Sequence, residues 1–85
     1  MDEAYLYKHI NTADTYTLAT KSEGILHSIV VGETDAGTIT VSDARGVIAT
    51  IKANAPEGTY LYNVAWSGFL EVVTAAESVI TVSYK

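Results

Sequence analysis

Residues 24–32, "GILHSIVVG", set one histidine in a run of Ile, Leu and Val bounded by glycines. Read with the two-residue period of an extended chain, His27 falls in phase with Ile25, Ile29 and Val31, and Leu26, Ser28 and Val30 take the opposite face. A catalytic histidine needs an orienting acid and a nucleophile or substrate hydroxyl within hydrogen-bond reach. The local neighbours here are aliphatic, so His27 reads as a structural or interface residue on a strand.

The same pattern recurs along the chain. Segments rich in Val, Ile, Thr and Tyr are separated by Gly, Asp, Asn, Ser or Pro, and helical periodicity is nearly absent. The spacing predicts an all-β fold of about eight short antiparallel strands at 5–10, 15–20, 25–31, 38–42, 47–52, 59–65, 69–74 and 79–84. Residues 1–4 form a short N-terminal tail, and 1–85 one domain. "NTAD" and "GETDAG" carry turn residues, "DARG" is short enough for a hairpin loop, and "ANAPEG" places Pro56 outside any ladder. "AAES" is the weakest break and admits a helical turn. Alternation puts Ile39 and Val41, Leu70 and Val72, and Ile80, Val82 and Tyr84 on inner faces opposite Thr, Ser and Glu. A Thr/Ser outer face fits a two-layer β-sandwich, jelly-roll- or Ig-like. Phe69, Trp66, Val73 and Val79 exceed what so small a core holds, which assigns some of them to an interface.

Composition narrows the class. A chain of 85 residues buries only roughly 60–65% of its unfolded surface and needs a supplement to its core. Cysteine is absent, which excludes disulfides and thiolate metal sites, and His9 and His27 alone cannot make a structural zinc site. Self-association or docking on a partner is then the favoured supplement. The net charge of −5 and five scattered cations argue against nucleic acid and anionic membranes as partners. No apolar run approaches the roughly 20 residues that span a bilayer, and "MDEAYLYKHI" lacks the features of a signal peptide. The expectation is a product made in the cytosol.

No catalytic, cofactor-binding or metal set can be named. There is no G-x-S-x-G elbow and no glycine-rich phosphate loop. Glu33, Asp35 and Asp43 bracket the strand at 38–42, but their spacing matches no compact calcium loop and reads as solvated turns. His9 would lie beside His27 only if the first and third strands paired. The aromatics are more informative: Tyr60, Tyr62 and Trp66 share a face by alternation, with Phe69 close by and Tyr5 and Tyr7 near the N-terminus. A protein interface, core packing and a sugar-stacking platform compete for them. Interface is favoured, because Tyr and Trp offer large area at low entropy cost and the small core needs support.

Three segments, "YKHINTADTYTL", "GILHSIVVGETDAGTITVSDARGVIATI" and "GTYLYNVAWSGFLEVVTAAESVITVSY", resemble a group of short tailed-bacteriophage virion proteins. The resemblance spans about residues 5–84 and contains no chemically diagnostic motif. It implies a non-enzymatic head decoration or cement protein, a homotrimer that binds the major capsid protein on the outer shell after assembly in the host cytoplasm. Neck, tail or head-fibre placement is one alternative, and a carbohydrate-binding or adhesion module is another. Several decoration families carry a longer N-terminal arm than residues 1–4 supply, which moves the expected contact to sheet edges, loops and the outer face.

Overall fold

The computed structural model describes residues 5–85; the tail expected at 1–4 lies outside the described residues. Six strands follow in order: β1 (Leu6–Ile10), β2 (Thr15–Glu33), β3 (Ile39–Asp43), β4 (Gly46–Ile51), β5 (Gly58–Thr74) and β6 (Val79–Tyr84). They form one open antiparallel sheet in the order β1-β6-β2-β5-β3-β4. The all-β, antiparallel expectation holds, and the helical turn considered at "AAES" is a bend at 75–76.

The strand count is corrected from eight to six. The breaks expected at 21–24 and 66–68 are not turns: the chain runs through them, so 15–20 joins 25–31 and 59–65 joins 69–74. The reason is bulging. The β2–β5 ladder loses register between Thr17 and Ala19, between Lys21 and Gly24, and between Leu26 and Ser28. Each bulge adds a residue to one strand and bends it without ending it. Gly68, at a φ of 82°, sits in the same bend and takes a conformation that side chains resist.

The bend divides the sheet's pairing. The C-terminal part of β2 pairs with β6 and, through it, with β1. The C-terminal part of β5 pairs with β3, which pairs with β4. The β3–β4 hairpin closes through Ala44–Arg45, as "DARG" predicts, with Asp43 opposite Gly46. Connections 11–14, 34–38, 52–57 and 75–78 meet at one end: Thr74 N–H donates to Asp14 O (2.9 Å), Asn54 N–H to Asp35 O (3.0 Å) and Ala75 N–H to Thr38 O (3.0 Å). The bends lie at the other end, beside the β3–β4 turn and Lys85, where Ala44 N–H donates to Ser67 O (3.0 Å).

A single hydrophobic cluster draws on both parts of the sheet, with Leu26, Ile29, Ile80 and Val82 from one and Leu70, Val72, Ile39 and Val41 from the other. Trp66 is fully buried at the bend. It needs Gly24 opposite: a Cβ there would overlap the Lys85 carbonyl oxygen and fall within 2.5 Å of two indole carbons. Of the residues assigned to interface for want of room, Trp66 is therefore core, while Phe69, Val73 and Val79 are half-buried.

Replacement of Leu70 by Ala is expected to cost about 2–5 kcal/mol in urea unfolding, the range for a large core deletion. Gly24→Ala is expected to cost about 1–3 kcal/mol through overpacking against backbone and indole. Leu61→Ala, at an exposed position, is expected to stay within about 0.5 kcal/mol of the parent in the dilute monomer.

Candidate interaction surface

Residues directly opposite across antiparallel strands share a face, so the register sorts the side chains of β1, β6, β2 and β5 into rows. One row runs Leu6, Tyr84, Leu26, Val64 and another Lys8, Val82, Ile29, Tyr60; both point to the core side. Between them run Tyr7, Ser83, Ser28, Leu61 and then His9, Thr81, Val30, Thr59, which point outward. Tyr7 is 72% exposed and Leu61 65%, at the two ends of one outer row. Leu6 at 59% and Val64 at 38% stand at the ends of an inner row whose centre is buried. Four of the exposed large apolar side chains thus stand at the two edges of this half of the sheet, while Val30, at 38%, lies in the middle of an outer row.

His27 is the extra residue of a bulge, since Leu26 and Ser28 face consecutive residues, Tyr84 and Ser83, of β6. The bulge turns His27 and Ser28 outward together and splits the expected set: Ile29 and Val31 reach the core and His27 does not. Asn63, at a φ of 51°, lies opposite and meets the His27 Nδ1 at 2.8 Å. Tyr5 stacks on the imidazole with centroids 4.2 Å apart, and the Lys85 ammonium lies 5.0 Å from the Tyr5 ring. His9 does not sit beside His27, because β6 separates β1 from β2; its Nδ1 meets Thr81 Oγ1 at 3.1 Å. Both histidines are surface residues held by neutral partners.

The six aromatics named from the sequence separate into three groups. Tyr5 and Tyr7 are exposed on the outer face. Tyr60 and Tyr62 are half-buried against the core; Tyr60 donates its hydroxyl to Pro56 O at 2.5 Å. Burial, and then the proximity of Tyr60, raises the Tyr62 hydroxyl above its ordinary 10.0. Trp66 is out of solvent entirely, and its Nε1 has no partner among the described residues, so it cannot take part in a surface platform. Phe69 is half-buried in β5 opposite Thr20. Sequence reading missed Leu6, Leu61 and Val64, which alternation places correctly but whose exposure depends on how strands are ordered.

Asp43 is structural. Its side chain is 3% exposed and accepts from Ser67 N–H (3.0 Å), from Arg45 N–H (2.9 Å) and from the Arg45 guanidinium (3.0 and 3.1 Å), while Arg45 also donates to Ala65 O. This ties the β3–β4 turn to the bend of β5. Desolvation pushes the carboxyl up, and the Ser67 and Arg45 amides with the Arg45 guanidinium outweigh it, leaving the group below its ordinary 3.8. Asp43 therefore lies at the opposite end of β3 from Glu33 and Asp35, and the three carboxylates do not converge. Among the described residues no three His, Cys, Asp or Glu side chains gather to hold a metal.

Charge is segregated along the molecule. Asp14, Glu33, Asp35, Glu57 and Glu77 lie on or beside the four gathered connections, where Lys52 is the one cation among the described residues. Lys21, Arg45 and Lys85 lie at the other end with Glu23 and the paired Asp43.

No protein-family model matches the chain, and no curated protein sequence matches it. Among solved structures, the crystal structure of the Drosophila NLP core superposes with a TM-score of 0.64 at 10% identity, covering 98% of this chain and 97% of that one. That protein forms pentamers and binds histones. At this identity the likeness is one of fold.

Because the Asp43 carboxyl is lowered in the folded state, its stabilising contribution is present above about pH 4 and is lost as pH falls through the folded value. Asp43→Asn is expected to unfold at a lower temperature than the parent at neutral pH. The gap is expected to close as the parent is acidified below about pH 4, read by circular dichroism melts across pH.

Proposed function

We propose that this chain is a non-enzymatic, self-associating structural subunit. The observation that carries the reading is the placement of Leu6, Tyr7, Leu61 and Val64: large apolar side chains left in water on the edge strand β1 and on the N-terminal part of β5, which among the described residues pairs with β2 alone. A monomer gains nothing from such edges and risks aggregation through them, whereas an assembly covers both. The fold likeness to a pentamer-forming core supports closed self-assembly as the type of association.

The resemblance to tailed-phage virion proteins gives the subunit its place: the outer surface of a capsid, as a decoration protein bound to the major capsid protein. The trimer implied by that resemblance is one closed ring among several; a ring of six or twelve moves the subunit to the neck or tail. The architecture proposed with it has two layers within one sheet, the halves on either side of the bends facing one another across the common core. Support comes from Tyr84, whose hydroxyl on β6 donates to Leu18 O on the far part of β2 at 3.2 Å. A sugar-stacking role draws no support from the aromatics, since Trp66 is buried and Tyr60 and Tyr62 lean on the core.

A second reading rests on the acidic end. Asp14, Glu33, Asp35, Glu57 and Glu77 would receive a cationic partner, and the NLP core of similar fold binds histones.

Light scattering of the purified chain is expected to give a discrete oligomer that persists on dilution through the micromolar range and co-sediments with empty phage shells. A monomer at every concentration removes the self-association reading. An oligomer that ignores shells but binds a basic protein, with an affinity that falls steeply with salt, replaces the capsid role by the second reading.

A further inference from the structure

Resting on the self-association reading, we infer that copies join head to tail by pairing the β1 edge of one with the β5 edge of the next, extending the sheet across the contact. Both edges are open. Among the described residues, β1 pairs with β6 alone, and residues 58–70 of β5 pair with β2 alone. Arg45 occupies the carbonyl of Ala65, which leaves the stretch from Gly58 to Val64 as the open part of that edge.

Strand direction and register agree with this contact. Neighbours alternate in direction through β1, β6, β2 and β5, so β1 of a second copy in the same orientation meets β5 antiparallel. The four-residue rows then continue from copy to copy. In register from Gly58, Gly58 falls opposite Ile10, Thr59 opposite His9, Tyr60 opposite Lys8 and Leu61 opposite Tyr7 of the next molecule; Val64 reaches the Leu6 row only across a bulge at Tyr62 and Asn63, which have no counterpart between the adjacent Leu6 and Tyr7. Leu61 thus meets Tyr7 on the outer face in register, and Val64 meets Leu6 on the inner face beyond the bulge. Lys8, whose ammonium lies 5.8 Å from the Tyr16 ring within its own copy, comes level with Tyr60 of the next. Glu57, just before β5, comes level with Asn11 and diagonal to His9, within reach of a long side chain. Residues 5–10 carry no carboxylate, so the β1 edge is the cationic member of the pair.

The β4 edge is a poorer candidate. It offers one large exposed apolar side chain, Val47, and no second edge whose exposed residues match it in register. Because the β1 and β5 edges are different surfaces, the contact is heterologous and produces a ring where the rotation between copies closes. It also covers the most exposed apolar side chains of β1 and β5, Leu6, Tyr7 and Leu61.

The absence of cysteine makes the test direct. Full-length chains carrying His9→Cys with Thr59→Cys, or Lys8→Cys with Tyr60→Cys, are oxidised with copper phenanthroline and run without reductant. Adjacent rows alternate in hydrogen-bonding type, so the two variants sample both geometries. Within one copy the paired positions lie three strand spacings apart, about 14 Å, well beyond disulfide reach. The expected result is a reductant-sensitive ladder ending at the number of copies that light scattering gives for the parent. Leu61→Glu is expected to weaken the oligomer by roughly tenfold or more in apparent Kd while leaving the melting temperature of the dilute monomer unchanged. If the parent is oligomeric but both cysteine pairs stay monomeric on the gel, or Leu61→Glu assembles as the parent does, edge pairing is wrong and self-association stands. A parent that is monomeric throughout overturns both.

Discussion

The structure depends on one contact, the indole of Trp66 laid over Gly24 where β2 and β5 bend together. Both strands run far past the usual strand length, and a flat sheet of that length could not enclose a core by itself. The bulges at Lys21–Gly24 and the positive φ of Gly68 supply the curvature, and Trp66 fills the space inside it. The absence of a side chain at position 24 lets the ring and the Lys85 backbone close on the bend: Ile25 N–H donates to Lys85 O and Lys85 N–H to Ile25 O (2.6 and 2.9 Å).

The polar contacts around the bend serve the same purpose. Asp43 fastens the β3–β4 turn to Ser67 and, through Arg45, to Ala65, so the hairpin cannot swing away from the bent segment. Ala44 packs where a Cβ on Gly68 would fall. An ionised carboxylate receiving two backbone amides and a guanidinium is well compensated for its burial, which is why a charged residue is tolerated at so enclosed a position. The other end of the molecule is held by backbone bonds between connections, and there the carboxylates remain in solvent. The ion-paired carboxylate thus lies at one end, and among the described residues most of the unpaired carboxylates gather at the other.

Interaction surfaces follow from the same economy of size. Without helices to cover them, the outer faces of the strands meet solvent, and Thr, Ser and His occupy most of those positions. Most of the exceptions sit at the edges of the β1-β6-β2-β5 half, where a further strand would complete the rows; Val30 within it and Val47 on β4 stand apart. His27 belongs to this surface because of a bulge, not because of its place in the alternation, and its contacts with Tyr5 and Asn63 order the outer face.

The amino-acid sequence alone determined the all-β class, the β3–β4 hairpin, the loop around Pro56 and the inner faces of 39–43, 69–74 and 79–84. Each of these depends on neighbours within a few residues: side-chain alternation, turn chemistry and the absence of a helical period. The same local reasoning misjudged 21–24 and 66–68, because a glycine next to a strand reads equally as a turn or a bulge, and only the partner strand across the ladder decides which. It placed His27 on the wrong side for the same reason, since one inserted residue inverts every assignment on one side of it. Trp66, for which an interface is favoured over core packing by pattern, is core, whereas Leu6, Leu61 and Val64 fit an inner or outer stripe by pattern and are exposed by position. Strand order decided these, and it is set by which long-range pairings bury the most apolar surface together, a property of the whole chain that no short segment carries.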